Sequence, residues 1–445
     1  MVREAVRIPP AARILPRRWF YGWYIALACA ALMFVGMGVG YYGLAVYLSP
    51  LKEAHGWSTT AVSGATGLYF SVMGLTSAFV GPRIDERGPL RFMVVGMLLC
   101  GVAASLIGFV RELWQLYAVY AALAVAIGMS AGVAINAIMT RWFVRRRARA
   151  MSISATGVSL GGVVLSPLIS RLIDVGGLEL AAPAMGALIV AVALPVILLV
   201  IAWDPAEMGL HPDGLPLEEA PVRGTLAASV QLRRWTPREA VRTVPFWAIL
   251  VAFLLVLLAQ TGYVIHQIAF LSDRMGSRSE AAFALSVTAF GSIVARLVVG
   301  SFADALDKRF LTVVLLVVQA SAVVGIVLVE NLVSTWLLTL VFGFTIGNVY
   351  MMQSLLVGEI FGLVSFGSIF GLVNFAGQVG SGGGPFLVGL LEDLTGSYTV
   401  PFMVTAGLTY LAAVVILFAR PVAAAAPTTA AQPQAGAAVA GGDGA

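Results

Sequence analysis

Arg296 is the only lysine or arginine placed well inside an apolar run of this chain. Inserting a guanidinium there costs at least about 2.5–3.5 kcal/mol, so it calls for a partner or a purpose. Facing an aqueous cavity, it could hold a carboxylate through two parallel hydrogen bonds. No carboxylate lies within a turn of it on the same helix; the position one turn earlier is Ser292. Two plainer readings stay open, snorkelling to the membrane surface or pairing with Glu359. His266, in TGYVIHQIAF between Tyr263 and Gln267, is the other titratable group of interest. A histidine titrates near neutrality and could couple a proton to another event; a hydrogen-bonded structural histidine fits equally. Tyr41, Tyr42, Asn136, Gln260, Asn374 and Gln378 are polar residues in apolar runs. With Arg296 they form a candidate binding set, which Asn348, Tyr350 and Gln353 could join. Inter-helix hydrogen bonds explain many such residues in any bundle.

Other chemistries are absent. Gly157-Val158-Ser159-Leu160-Gly161 matches a nucleophile-elbow pattern, but it lies in an apolar helical run without a strand-to-helix turn or a His/Asp partnership. It reads as helix packing, and no enzymatic activity is expected. No phosphate-binding G-x-x-x-x-G-K-[ST] segment occurs, which excludes a nucleotide-driven pump within this chain. The three histidines and two cysteines form no ligand cluster, so neither a metal site nor a cofactor is expected.

The positioning elements are membrane helices. The 445 residues are 60% hydrophobic and 11% charged, against about 45–50% and about 25% in soluble domains. A bilayer core needs about 20 apolar residues per helix, and twelve runs qualify: 21–48, 59–82, 92–110, 114–140, 150–172, 181–202, 244–271, 281–302, 310–329, 335–358, 366–391 and 399–419. Most of the 27 Lys and Arg residues fall in the tail and loops on one side. The other side holds only Lys52, Arg111, Arg171, Arg274 and Arg278. Both termini are therefore expected in the cytoplasm, as an even number of spans requires. The charge excess reads as topology, and nucleic acid is not an expected partner. The fold class is all-α, twelve transmembrane helices in two six-helix pseudo-symmetric bundles. The expected divisions are a tail at 1–20, a first bundle at 21–202, a cytoplasmic loop at 203–243, a second bundle at 244–420 and a disordered tail at 421–445.

The halves echo one another. After the second span the chain reads Gly81-x3-Asp85-x2-Gly88-x2-Arg91. After the eighth it reads Gly300-x3-Asp304, with Asp307 where a second glycine would fall. Small residues let helices approach closely, and the carboxylates could cap helix N-termini or pair with arginines at an inner gate. This loop resembles the signature of the major facilitator superfamily. Tyr21-Gly22-Trp23, Trp142-Phe143 with its arginines, AEMGLHPDG at 206–214 and FLSDRMG at 270–276 are similar to elements of its monocarboxylate-transporter-like branch, in bacterial form.

The resemblance implies a monomeric secondary transporter of small organic anions, monocarboxylates foremost, working by alternating access in a bacterial inner membrane. A proton is the candidate co-substrate. It also implies that Arg296, in Phe290-x4-Ala295-Arg296, is the substrate arginine. Departures accompany it. Relatives place a lysine in span 1 and an aspartate where Ser292 stands, and oxalate–formate exchangers add a lysine in span 11. One fixed charge suits a monoanion. A drug or metabolite exporter of the same fold, or a membrane sensor that no longer transports, are the alternatives.

Overall fold

In the computed structural model the described residues are 9–14, 16, 19–143, 146–214, 235–275, 277–302, 306–361 and 366–420. The expected tail beyond residue 420 and residues 215–234 of the central loop lie outside them. The first helix, α1 (Tyr21–His55), contains a six-residue π-helical stretch, Gly38–Gly43. Next come α2 (Thr59–Arg87), α3 (Leu90–Phe109) and α4 (Leu113–Trp142). Arg147–Leu199 breaks at Gly176 and Gly177 into α5 (147–175) and α6 (178–199). Gly177 has φ 67°, which makes this turn possible without an added loop. The second half holds α7 (Val244–Met275), α8 (Arg278–Phe302), α9 (Lys308–Leu328), α10 (Leu332–Phe361), α11 (Phe366–Thr395) and α12 (Thr399–Ile416).

Several helices outrun their apolar cores. α1 continues to His55, α2 carries through Gly81 and Pro82 to Arg87, and α11 ends at Thr395. Backbone hydrogen bonding continues past the point where side chains become polar, so hydropathy marks the membrane and not the helix end.

The helices pair in the same way in each half: α1 with α5, α2 with α4 and α3 with α6, then α7 with α11, α8 with α10 and α9 with α12. This is a parallel repeat in three dimensions. The halves meet through α2 against α11 and α5 against α8. Composition alone marks eight segments as membrane-spanning, and α2, α8 and α11 are not among them. These three face the opposite half and are richer in Gly and Ser than lipid-facing helices.

Buried apolar side chains form two clusters. One runs through the first half and into the outer part of the second, including Tyr263, Leu285, Val388 and Phe402. The other holds Phe246, Leu311, Phe361 and Ile416, at the end of the second half where α7 begins and α12 ends. The halves thus share a core on one side and keep separate cores on the side where α1 begins and α12 ends, hereafter the inner side.

Candidate functional site

Arg296 projects from α8 toward three other helices. Its Nη1 donates to the Ala155 carbonyl of α5 at 3.0 Å. A Cβ on Gly347 of α10 would stand 2.9 Å from its Nε and 2.5 Å from the Ser292 hydroxyl. On α1, Tyr42 adjoins both Arg296 and Ser159. Ser159 also donates across the halves to Ser292 at 3.4 Å. Arg296 therefore touches both halves at once. Among the described residues no carboxylate lies within ion-pair distance of it, and Glu359 is engaged with Lys308 at 3.5 Å. A partly buried guanidinium with five donors and a single carbonyl acceptor is equipped to receive an anion.

The π-helical stretch presents two consecutive tyrosines to the interior. Tyr41 and Tyr42 stand edge to face, ring centroids 5.1 Å apart, with Tyr41 also against Phe70 at 5.7 Å. The glycines of this stretch permit it: a Cβ at Gly38 would meet the Gly161 backbone at 2.9 Å. π-Helical insertions are frequent at functional sites. Tyr41 reaches Gln260 and Thr261 of α7 and adjoins Tyr350 of α10. The structure thus brings Arg296, Tyr41, Tyr42 and Gln260 around one contact of the halves. Ser159, Thr261, Ser292, Gly347 and Ser381 share it. Sequence reading assigned these no binding role, because Gly, Ser and Thr are common packing residues in membrane helices.

Other candidates fall elsewhere. Asn136 is exposed on α4 and lies outside the buried cluster. Asn374 is partly buried on α11, and one turn on, Gln378 packs over Gly74 of α2. Asn348 donates to the Phe344 carbonyl of its own helix at 3.1 Å, and Gln353 to the Val373 carbonyl of α11 at 3.4 Å. The elbow-like pentapeptide is helix packing: a Cβ at Gly157 would collide with the Ala30 carbonyl of α1.

His266 is fully buried near the outer end of α7. Its Nε2 is 3.1 Å from both the Pro385 carbonyl and the Ser63 hydroxyl of the other half, and Nδ1 is 3.4 Å from the Tyr398 hydroxyl. The carbonyl can only accept, which places the hydrogen on Nε2 and leaves Nδ1 to accept from Tyr398. At the outer end, the Asp393 carboxylate accepts from the Thr59 and Thr60 N–H groups at 3.1 and 2.7 Å. This caps α2 from the opposite half, where the helix dipole favours an anion. Burial raises this carboxyl, but hydrogen bonds from Thr60, Thr59 and Ser58 outweigh it and hold it down at about 2. Lys52 of α1 pairs with Glu392 of α11 at 3.5 Å beside it.

The repeated loops differ physically. Gly88 ends α2 at φ 75°, a conformation that favours glycine. Asp307, its counterpart, has φ −61° and accepts from the Arg309 and Phe310 N–H groups as the N-cap of α9. The degraded copy is a working cap. A Cβ on Gly81 would meet Val133 of α4 at 3.5 Å, within its own half, and Arg91 is exposed. The side chain of Asp85, the surroundings of Gly300 and all of Asp304 lie outside the described residues.

Three of the family-like segments converge at the inner end. Phe20 packs tilted against Trp142 and edge to face with Phe143, at 5.8 and 5.7 Å, and Trp23 lies 4.8 Å from Phe143. Asp213 accepts from the Arg146 N–H at 3.2 Å.

Known proteins match this architecture. The family model described as Major Facilitator Superfamily matches residues 26–385. Monocarboxylate transporter 13 of Bos taurus is 27% identical over 421 residues, 92% of either chain. The oxalate:formate antiporter of Oxalobacter formigenes is 27% identical over 240 residues, 54% of this chain and 52% of its own. A solved bacterial homolog to the human lysosomal transporter Spinster, inward-facing and occupied, has the same fold. Its TM-score is 0.69 at 16% identity, over 93% of this chain and 97% of that one.

Proposed function

The chain belongs to the Major Facilitator Superfamily, and from that premise we propose that this membrane transporter moves small organic anions, monocarboxylates foremost, by alternating access. The observation that carries this reading is Arg296, held between the halves by neutral groups with no carboxylate in reach among the described residues. A bare cation at membrane depth is unfavourable until an anion neutralises it. A single guanidinium balances one negative charge, which favours a monoanion over a dianion. The printed names of the bovine and Oxalobacter relatives agree with a carboxylate.

Alternating access finds support in the two cores: continuous between the halves on the outer side, separate on the inner side. Movement then consists of releasing the outer contacts and closing the inner ones. Positive charge clustered on the side of the termini makes that side cytoplasmic, with a bacterial inner membrane as the setting and the monomer as the working unit. His266 is the candidate for proton coupling, since its Nε2 bridges α2 and α11. A proton added at Nδ1 would turn that atom from acceptor to donor and oblige the Tyr398 hydroxyl to rotate.

Counterflow into proteoliposomes, with labelled carboxylates, sugars and cationic drugs, tests the assignment. Accumulation of a monocarboxylate alone is expected. Accumulation of cationic drugs alone would make the protein an exporter of another class, and binding without movement would make it a sensor.

A further inference from the structure

Gln260 is fully buried, and neither its amide nitrogen nor its oxygen makes a hydrogen bond. The hydroxyls of Tyr41, Thr261 and Ser381 are likewise buried without partners. Tyr41 lies at the edge of hydrogen-bonding reach of Gln260 and Thr261, and Tyr350 of Ser381, without the geometry that makes a bond. Orphaned polar atoms are rare in native interiors and unfavourable in an apolar bundle. Four together, on α1, α7 and α11, point to a guest that completes them.

Position says what kind of guest. Tyr42 lies near Arg296 and Tyr41 near Gln260, with the two ring centroids 5.1 Å apart. The cationic end and the orphaned end are thus joined through the tyrosine pair. No lysine or arginine joins the orphaned end among the described residues, and the Gln260 carbonyl would repel a second carboxylate. A neutral hydroxyl, which both donates and accepts, satisfies an amide and an alcohol together.

We propose that Gln260, Thr261, Tyr41 and Ser381 form an uncharged subsite for the far end of the substrate. The substrate class is a monocarboxylate bearing a distal hydroxyl, carbonyl or amide group, separated from the carboxylate by a short carbon chain. This rests on the reading of Arg296 as the carboxylate site.

Counterflow with matched labelled acids tests it: butanoate, ω-hydroxybutanoate and succinate, then hexanoate, ω-hydroxyhexanoate and adipate. At one or both lengths the hydroxy acid exchanges about tenfold or more faster than the plain acid, because the plain acid leaves buried polar groups unpaired. The diacids are excluded. Gln260→Leu and the isosteric Thr261→Val each bring the hydroxy-to-plain ratio toward one, and Arg296→Gln abolishes exchange of every acid. Equal exchange of the plain and hydroxy acids by the native protein overturns the subsite, as does a ratio that survives both substitutions. With Arg296→Gln still inactive, either result leaves the anion reading standing. If Arg296→Gln exchanges the acids normally, or the native protein exchanges none, the anion reading falls and the subsite with it.

Discussion

Arg296, without a carboxylate in reach among the described residues, lies in a tightly fitted bed. Its Nε lies where Gly347 lacks a side chain, and Ser292 fills the rest of that gap. Gly347→Ala should therefore displace the guanidinium without removing it. We expect KM for the transported acid to rise roughly tenfold, about the worth of one hydrogen bond to a charged group, with expression near normal. Initial-rate uptake over a range of substrate concentrations reads this, and an unchanged KM would mean that Arg296 does not meet the substrate. At this scale the sequence was informative where a residue clashed with its surroundings. Arg296, the paired tyrosines and Gln260 stand out in apolar runs, and all four share one contact. Thr261, Ser381 and Gly347 carry no such contrast and needed coordinates. Asn136 has the contrast but sits on the exposed side of α4, because polarity alone does not say which way a helix face turns.

Helices explain how the halves close. Asp393 of α11 caps α2, and Gly382 of α11 lies so close to Gly67 that a Cβ would stand 2.7 Å from the Gly67 carbonyl. The cap is made by the ionised carboxylate, held down at about 2. A lowered folded-state value means that its contribution is complete above the ordinary carboxylate value, about 3.9, and fades only as pH falls through about 2. Outer closure should thus be insensitive to pH between 5 and 8 in the native protein as far as Asp393 is concerned. Asp393→Asn should loosen the closure at every pH in that window. The two native cysteines, Cys29 and Cys100, are buried, so a cysteine introduced at Ser63 can report on it. Labelling by an impermeant maleimide should rise several-fold with Asp393→Asn; unchanged labelling would show that the cap does not restrain the halves. The cap was not legible beforehand, since Asp393 and Thr59 are far apart in sequence and belong to different halves. Helix number and order were legible from apolar runs cut at charges and turn residues, although α2, α8 and α11 are too polar for hydropathy alone to mark them, whereas helix ends were not.

Across the whole molecule, the same helix pairs recur in each half, and the sequence had shown this only as two loops, one of them imperfect. The imperfection is local: Asp307 caps a helix where Gly88 makes a left-handed turn. What unites the molecule at membrane depth is a charge that touches both bundles. Holding Arg296 requires α1 and α5 from the first half and α8 and α10 from the second, so an anion bound there links the state of the site to the position of the halves. The most direct test is counterflow of the best-accumulated labelled monocarboxylate by proteoliposomes containing the native protein, Arg296→Lys or Arg296→Gln. Arg296→Gln should reduce counterflow to the level of empty vesicles, and Arg296→Lys should retain only a small fraction, since an ammonium lacks the bidentate fork. Native rates in Arg296→Gln would contradict the account.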